Sequence, residues 1–236
     1  MRCGVVMFPG SNCDHDVYHV LKHVLGQDAL FLWHQDDSVK ACELVVVPGG
    51  FSYGDYLRAG ALAAQSPVMA AIRRHADAGG LVLGICNGFQ ILLEAGLLPG
   101  AMLRNHTLRF ECREVCLRVE RNDLPFTHRY AQGQVLRMPI AHMEGNYVTS
   151  AEELARLEER RQVVFRYVAP GGELDPAWNF NGALAAIAGV VNQGGNVLGM
   201  MPHPERAAEA LLGGSDGLAL FESALAAAAQ PLGVAS

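Results

Sequence analysis

No two glycines in this sequence are separated by a single residue, so a Gly-x-Gly-x-x-Gly dinucleotide fingerprint cannot occur. Lys22 and Lys40 are the only lysines, and neither follows a glycine, which excludes a Walker phosphate loop. ATP and magnesium are therefore not expected as cofactors of this chain by either route. There is no basic stripe, and the formal net charge is −6, which argues against nucleic acid as a partner. No apolar run is long enough to span a membrane. Met1-Arg2-Cys3 leads straight into a strand-like run without a basic, cleavable leader, so a cytoplasmic protein is expected. The six cysteines are then expected as reduced thiols. Cys112 and Cys116 lack a Cys-x-x-Cys spacing, and no metal site is expected.

What the chain does contain is an alternation of short apolar runs with amphipathic segments. Strands are expected at 2–8, 29–33, 43–47 and 81–85. A helix capped by Ser11 or Asn12 should run to about Gly26, and another from about Leu62 to Ala78. That rhythm implies an α/β fold of three layers, a mostly parallel central sheet with helices on both faces. After Pro99 the pattern becomes strand-rich, with runs at 102–104, 111–120, 135–141, 162–168, 183–191 and 197–201. Ser150 heads a short charged helix, and 218–229 form a final Ala-rich one. One domain over 1–236 with a strand-rich extension is expected. His15, His19 and His23 fall on one helix face, opposite the apolar one, and read as a solvated polar face rather than a metal site.

The chemistry centres on Gly84-Ile85-Cys86-Asn87-Gly88, between the strand-like run 81–85 and an apolar helical segment. This is the nucleophile-elbow pattern with cysteine in the serine position. The flanking glycines have a steric reason, because a sharp strand-to-helix turn leaves no space for a Cβ. At a helix N-terminus the unpaired N–H groups and the dipole favour thiolate. A thiol nucleophile needs a base, and His203 in Pro202-His203-Pro204-Glu205 follows another strand-like run, with Glu205 placed to orient the imidazole. Developing oxyanion charge needs N–H donors, and those of Asn87 and of Gly50, in Pro48-Gly49-Gly50, are the candidates. The elbow alone fits equally a cysteine hydrolase or peptidase.

Taken together, Pro48-Gly49-Gly50, the Cys86 elbow with Gln90, and His203-Pro204-Glu205 resemble the class I glutamine amidotransferases, whose fold is flavodoxin-like. Longer segments are similar to the family of glutaminase subunits of phosphoribosylformylglycinamidine synthases. They are Phe51-Ser-Tyr-Gly-Asp-Tyr-Leu-Arg-Ala-Gly60, residues 105–113, Ile140-Ala-His-Met-Glu-Gly-Asn-Tyr147, Asn179-Phe-Asn-Gly182 and Met200-Met-Pro-His-Pro-Glu-Arg206. Met143 departs from that pattern, where the family usually has glycine. The resemblance implies that Cys86, His203 and Glu205 release ammonia from L-glutamine. It places Gln90, Phe51, Asn105, Arg109 and Phe110 around the substrate. It also implies two partners, a large synthetase subunit that uses ATP and magnesium and a small accessory subunit. Residues 51–58 and 142–147 are the expected contact loops.

Overall fold

The computed structural model describes residues 1–229; residues 230–236, part of the expected single domain, lie outside them. Eleven strands are present among the described residues. β1 (Arg2–Met7), β2 (Asp28–Trp33), β3 (Leu44–Val47) and β4 (Leu81–Ile85) come first, then β5 (Ala101–Leu103), β6 (Glu111–Val119), β7 (Val135–His142) and β8 (Asn146–Val148). β9 (Val163–Val168), β10 (Ile187–Val191) and β11 (Val197–Met200) complete them. Nine form one sheet in the order β2-β1-β3-β4-β11-β10-β9-β6-β7, and β5 pairs with β8 separately. Pairing is parallel from β2 to β11 and antiparallel from β11 to β7. The strand-rich extension is thus hydrogen-bonded to the parallel half as a continuation of the same sheet.

Burial follows the pairing. Every residue of β3, β4, β9, β10 and β11 is buried, the signature of a sheet covered on both faces. β7 alternates, with Leu136, Met138, Ile140 and His142 inward, as an antiparallel strand with one open face should. The helices are α1 (Asp14–His19), α2 (Pro67–Asp77), α3 (Asn87–Glu94), α4 (Ala151–Glu159) and α5 (Leu218–Ala228). From β1 to β2 the chain steps one way along the sheet, and from β3 to β4 the other way. Right-handed crossovers then put α1 and α2 on opposite faces.

Several boundaries differ from expectation, each for a local reason. α1 starts after Cys13, because the Ser11 hydroxyl is taken by the Phe8 N–H at 3.1 Å and neither Ser11 nor Asn12 caps it. The same helix continues as a π-helical turn over Val20–Val24. α2 begins only at Pro67, which fits the first helical position and cannot extend a helix backwards. The expected strand 183–191 is shortened to β10, because Ala185 and Ala186 take φ of 51° and 57° in a turn whose Ala185 carbonyl accepts from Arg166. β8 was not expected; it lies inside a segment read as loop. Ser150 caps α4 as expected, accepting from the Glu153 N–H at 3.1 Å. No helix among the described residues is long and apolar enough to cross a membrane.

Candidate active site

β1, β3, β4 and β11 run in parallel, so their carboxyl ends share one edge. The register aligns Val46 with Leu83, Val47 with Gly84, and Ile85 with Met200. The next residues along each strand therefore converge: Pro48-Gly49-Gly50 after β3, Cys86 after β4, Met201-Pro202-His203 after β11. Beside them lies the turn after β1 that leads to Cys13. Crevices at the carboxyl ends of such strands are where α/β sheets place their chemistry.

Cys86 sits on the bend between β4 and α3 with φ 50° and ψ −107°, a left-handed conformation rare for a residue with a Cβ. Its N–H donates to the Met200 carbonyl at 2.8 Å, which ties the elbow to β11. The glycines that flank it are there for space. A Cβ on Gly88 would stand 1.8 Å from the Val47 carbonyl oxygen, and one on Gly84 would stand 2.8 Å from that of Gly88. Backbone strain held in place by packing is a recurrent feature of reactive sites. Cys86 is only 4% exposed, and its sulfur lies 3.7 Å from the Ala141 carbonyl at the end of β7.

His203 is buried, and its N–H donates to the Pro139 carbonyl of β7 at 2.9 Å. Nδ1 meets Glu205 Oε1 at 2.5 Å. Burial alone would push the imidazole down, but the Glu205 carboxylate, and after it Cys86, reverse this and hold it well above its ordinary value. The ring is thus a strong proton acceptor facing a thiol, with Nε2 free of any hydrogen bond. His142, at the end of β7, is the opposite case. Burial and the neighbouring His203 press it down to about 3, so it stays neutral.

The expected oxyanion donors are also placed at this edge. Among the described residues, the N–H groups of Gly50 and Asn87 donate no hydrogen bond, whereas that of Phe51 is consumed by the Gly10 carbonyl at 3.0 Å. The expected substrate contacts divide into three kinds. The Gln90 amide is engaged by the protein, accepting from Asn87 Nδ2 at 2.9 Å and donating to the Glu144 carbonyl at 2.6 Å. Asn105 is fully buried, and all four of its hydrogen-bonding positions are filled. Nδ2 donates to the Arg109 and His142 carbonyls, and Oδ1 faces the Gly145 N–H and His142 Nδ1. Its side chain therefore clamps the 142–145 segment. Phe51 and Phe110 stack at 6.4 Å on the exposed rim, and Arg109 is exposed nearby in sequence without an ion-pair partner among the described residues.

Two groups went unread in the sequence. Cys13 lies beside the His203 ring, with Arg206 Nη2 donating to its sulfur at 3.1 Å. A Cβ on Gly49 would meet both His203 Cε1, at 2.8 Å, and Cys13 Sγ, at 3.1 Å. Its place just beyond β1, at the same sheet edge, was the available signal. Asp55 faces Glu144, and burial followed by that charge raises its carboxyl to about 6. The His15, His19 and His23 face is exposed, as expected, with His19 paired to Glu209 at 2.8 Å.

Comparison with known proteins agrees with this geometry. The model of the CobB/CobQ-like glutamine amidotransferase domain matches residues 1–213. A phosphoribosylformylglycinamidine synthase subunit PurQ from Moorella thermoacetica is 60% identical over 223 residues, covering 94% of each chain. The subunit of the same name from Thermus thermophilus is 59% identical and covers 94% of this chain and 96% of its own. Among solved structures, a chain of PurLQS from Thermotoga maritima matches with a TM-score of 0.84 and 47% identity, covering 95% of this chain and 97% of that one. The chain belongs to the CobB/CobQ-like glutamine amidotransferase family.

Proposed function

We propose that this chain is the glutaminase subunit of a phosphoribosylformylglycinamidine synthase, acting in purine biosynthesis. The observation that carries the site assignment is Cys86 on a strained elbow, facing a buried His203 whose other ring nitrogen is held by Glu205 at 2.5 Å. His203 takes the thiol proton of Cys86, and the sulfur then attacks the carboxamide carbon of L-glutamine. The Gly50 and Asn87 N–H groups receive the oxyanion, each such donor being worth about 3 kcal/mol in the transition state. His203 then protonates the leaving ammonia, and water, deprotonated by the same ring, hydrolyses the glutamyl thioester. Arg109, an exposed cation on the loop that Asn105 anchors, is assigned to the substrate carboxylate by this reading. Phe51 and Phe110 wall the entrance. Gln90 and Asn87 act by holding the 51–58 and 142–147 segments against the elbow.

Ammonia released into water at neutral pH becomes ammonium, which is no nucleophile, so it has to be consumed where it is made. Neither nucleotide motif occurs here, so ATP and magnesium belong to a large synthetase subunit, with a small accessory subunit completing the assembly. Apolar side chains ring the mouth of the site: Tyr56, Leu57 and Leu108 are at least 70% exposed, and Phe51, Phe110 and Met143 are partly so. Such a patch fits a protein partner. Nine of the eleven strands among residues 1–229 form one sheet and the buried residues one core, which supports a single working unit. A cytoplasmic location suits a biosynthetic enzyme with six free thiols.

The experiment is alkylation by a glutamine-analogue electrophile followed by peptide mapping. Adduct at Cys86, lost in Cys86→Ala, is expected, and turnover should be slow until the synthetase subunit is added. Labelling of another cysteine would overturn the site assignment.

A further inference from the structure

One buried nitrogen of the site plays no part in the reaction described above. Residues 139–144 run along the site from base to nucleophile to Gln90. The Pro139 carbonyl takes the His203 N–H at 2.9 Å, the Ala141 carbonyl lies 3.7 Å from the Cys86 sulfur, and the Glu144 carbonyl takes the Gln90 amide at 2.6 Å. His142 belongs to this run and is buried. Its ring is close enough to His203 for their charges to oppose each other.

Asn105 fixes which nitrogen of His142 carries the proton. Both Asn105 Nδ2 protons go to the Arg109 and His142 carbonyls, so its Oδ1 can only accept. His142 Nδ1, 3.2 Å from that oxygen, is therefore the N–H. A neutral imidazole has one such proton, so Nε2 presents a bare lone pair. Nε2 has no hydrogen-bond partner among the described residues, an uncommon state for a buried acceptor. No side chain at position 145 covers it either. A Cβ on Gly145 would stand 2.6 Å from Nε2 and 2.1 Å from Cε1.

The reaction supplies what this atom lacks. As the carbon–nitrogen bond of glutamine breaks, the nitrogen has to turn its lone pair toward the proton on His203, and its N–H groups need acceptors in a closed site. Pressed down to about 3 by burial and His203, the His142 ring accepts a hydrogen bond but takes no proton. We propose that His142 Nε2 accepts an N–H of the departing nitrogen, first in the glutamine carboxamide and then in ammonia. This rests on the glutaminase reading above. The sulfur–carbon bond forms, the carbon–nitrogen bond breaks, and the proton that His203 took from Cys86 passes to the nitrogen, which leaves as neutral ammonia. His142 exchanges no proton; it orients the nitrogen lone pair toward His203.

The test compares two leaving groups in the assembled complex. L-Glutamine is one substrate. The γ-methyl ester of L-glutamate is the other; it forms the same thioester but releases methanol, through an oxygen that carries no N–H. In His142→Leu, kcat/KM for glutamine should fall at least about ten-fold, while that for the ester stays within about two-fold of wild type. An equal fall for both substrates would show a structural role alone and overturn the proposal, as would unchanged glutamine turnover. Should His142→Leu fail to fold, His142→Phe, which keeps a ring but no nitrogen, is read by the same criteria. Labelling by a glutamine-analogue electrophile separates the two readings. An adduct at Cys86 together with equal falls refutes the role of His142 alone, whereas no adduct at Cys86 in wild type refutes the glutaminase reading itself.

Discussion

Replacing Gly88 by alanine tests the elbow at its tightest point. The new Cβ would stand 1.8 Å from the Val47 carbonyl oxygen, 2.6 Å from its carbon and 3.2 Å from the Pro48 oxygen. All three are backbone atoms of β3 and its exit, so none can rotate away. To reach an ordinary contact of about 3.5 Å the start of α3 must withdraw by roughly 1.7 Å. The other side of α3 is packed solid, since Phe89, Ile91 and Leu92 are fully buried. Overpacking of this kind costs about 1–3 kcal/mol, and with backbone atoms on the β3 side and buried side chains behind, the upper end applies. The same withdrawal carries Asn87 and Cys86 away from His203, and a misplacement of about 1 Å is worth roughly 10²-fold in rate. Denaturant unfolding and glutaminase turnover of the complex read the two effects. Gly96→Ala is the control, because Gly96 has φ +65° but nothing within 4 Å of the added carbon. It should cost about 1–2 kcal/mol from the left-handed backbone alone, with activity retained. A Gly88→Ala protein within 1 kcal/mol of wild type and fully active would refute the steric account of the bend.

Two further outcomes follow from the ionisable groups. Glu205→Gln removes the charge that holds His203 protonated, and the stabilisation so lost is the kind present below about pH 6.5 and fading as pH rises through the raised imidazole value. The variant should be about 3–5 kcal/mol less stable near neutrality, with a smaller deficit in alkali, and should hydrolyse glutamine about 10²- to 10⁴-fold more slowly. A pH-independent deficit would contradict this. His142 is buried neutral at about 3, whereas the unfolded chain binds that proton below about pH 6.5, so its contribution is lost as pH falls between those limits. The cost reaches about 2 kcal/mol at pH 5, and the stability difference between wild type and His142→Gln should change by that amount between pH 7.5 and pH 5 in denaturant titrations. An unchanged difference would show that His142 carries a proton in the fold.

The primary structure determined which segments could become buried strands and where the chain had to bend. The apolar runs of β3, β4 and β11 read as strands covered on both faces, and Gly84-x-Cys86-x-Gly88 reads as a bend too tight for side chains. Those are local properties, set by period, length and the absence of a Cβ, and they carried the nucleophile, its base and the fold with them. Three-dimensional packing alone decided the rest. Asn105 is set as a clamp, because its amide reaches three groups of the 142–145 segment as well as the Arg109 carbonyl of its own loop. Cys13 was one of six cysteines expected as reduced thiols and arrived beside His203, because β1 and β11 end at the same edge although almost the whole chain separates them. Contacts of that range depend on strand order and register, which no stretch of residues encodes by itself.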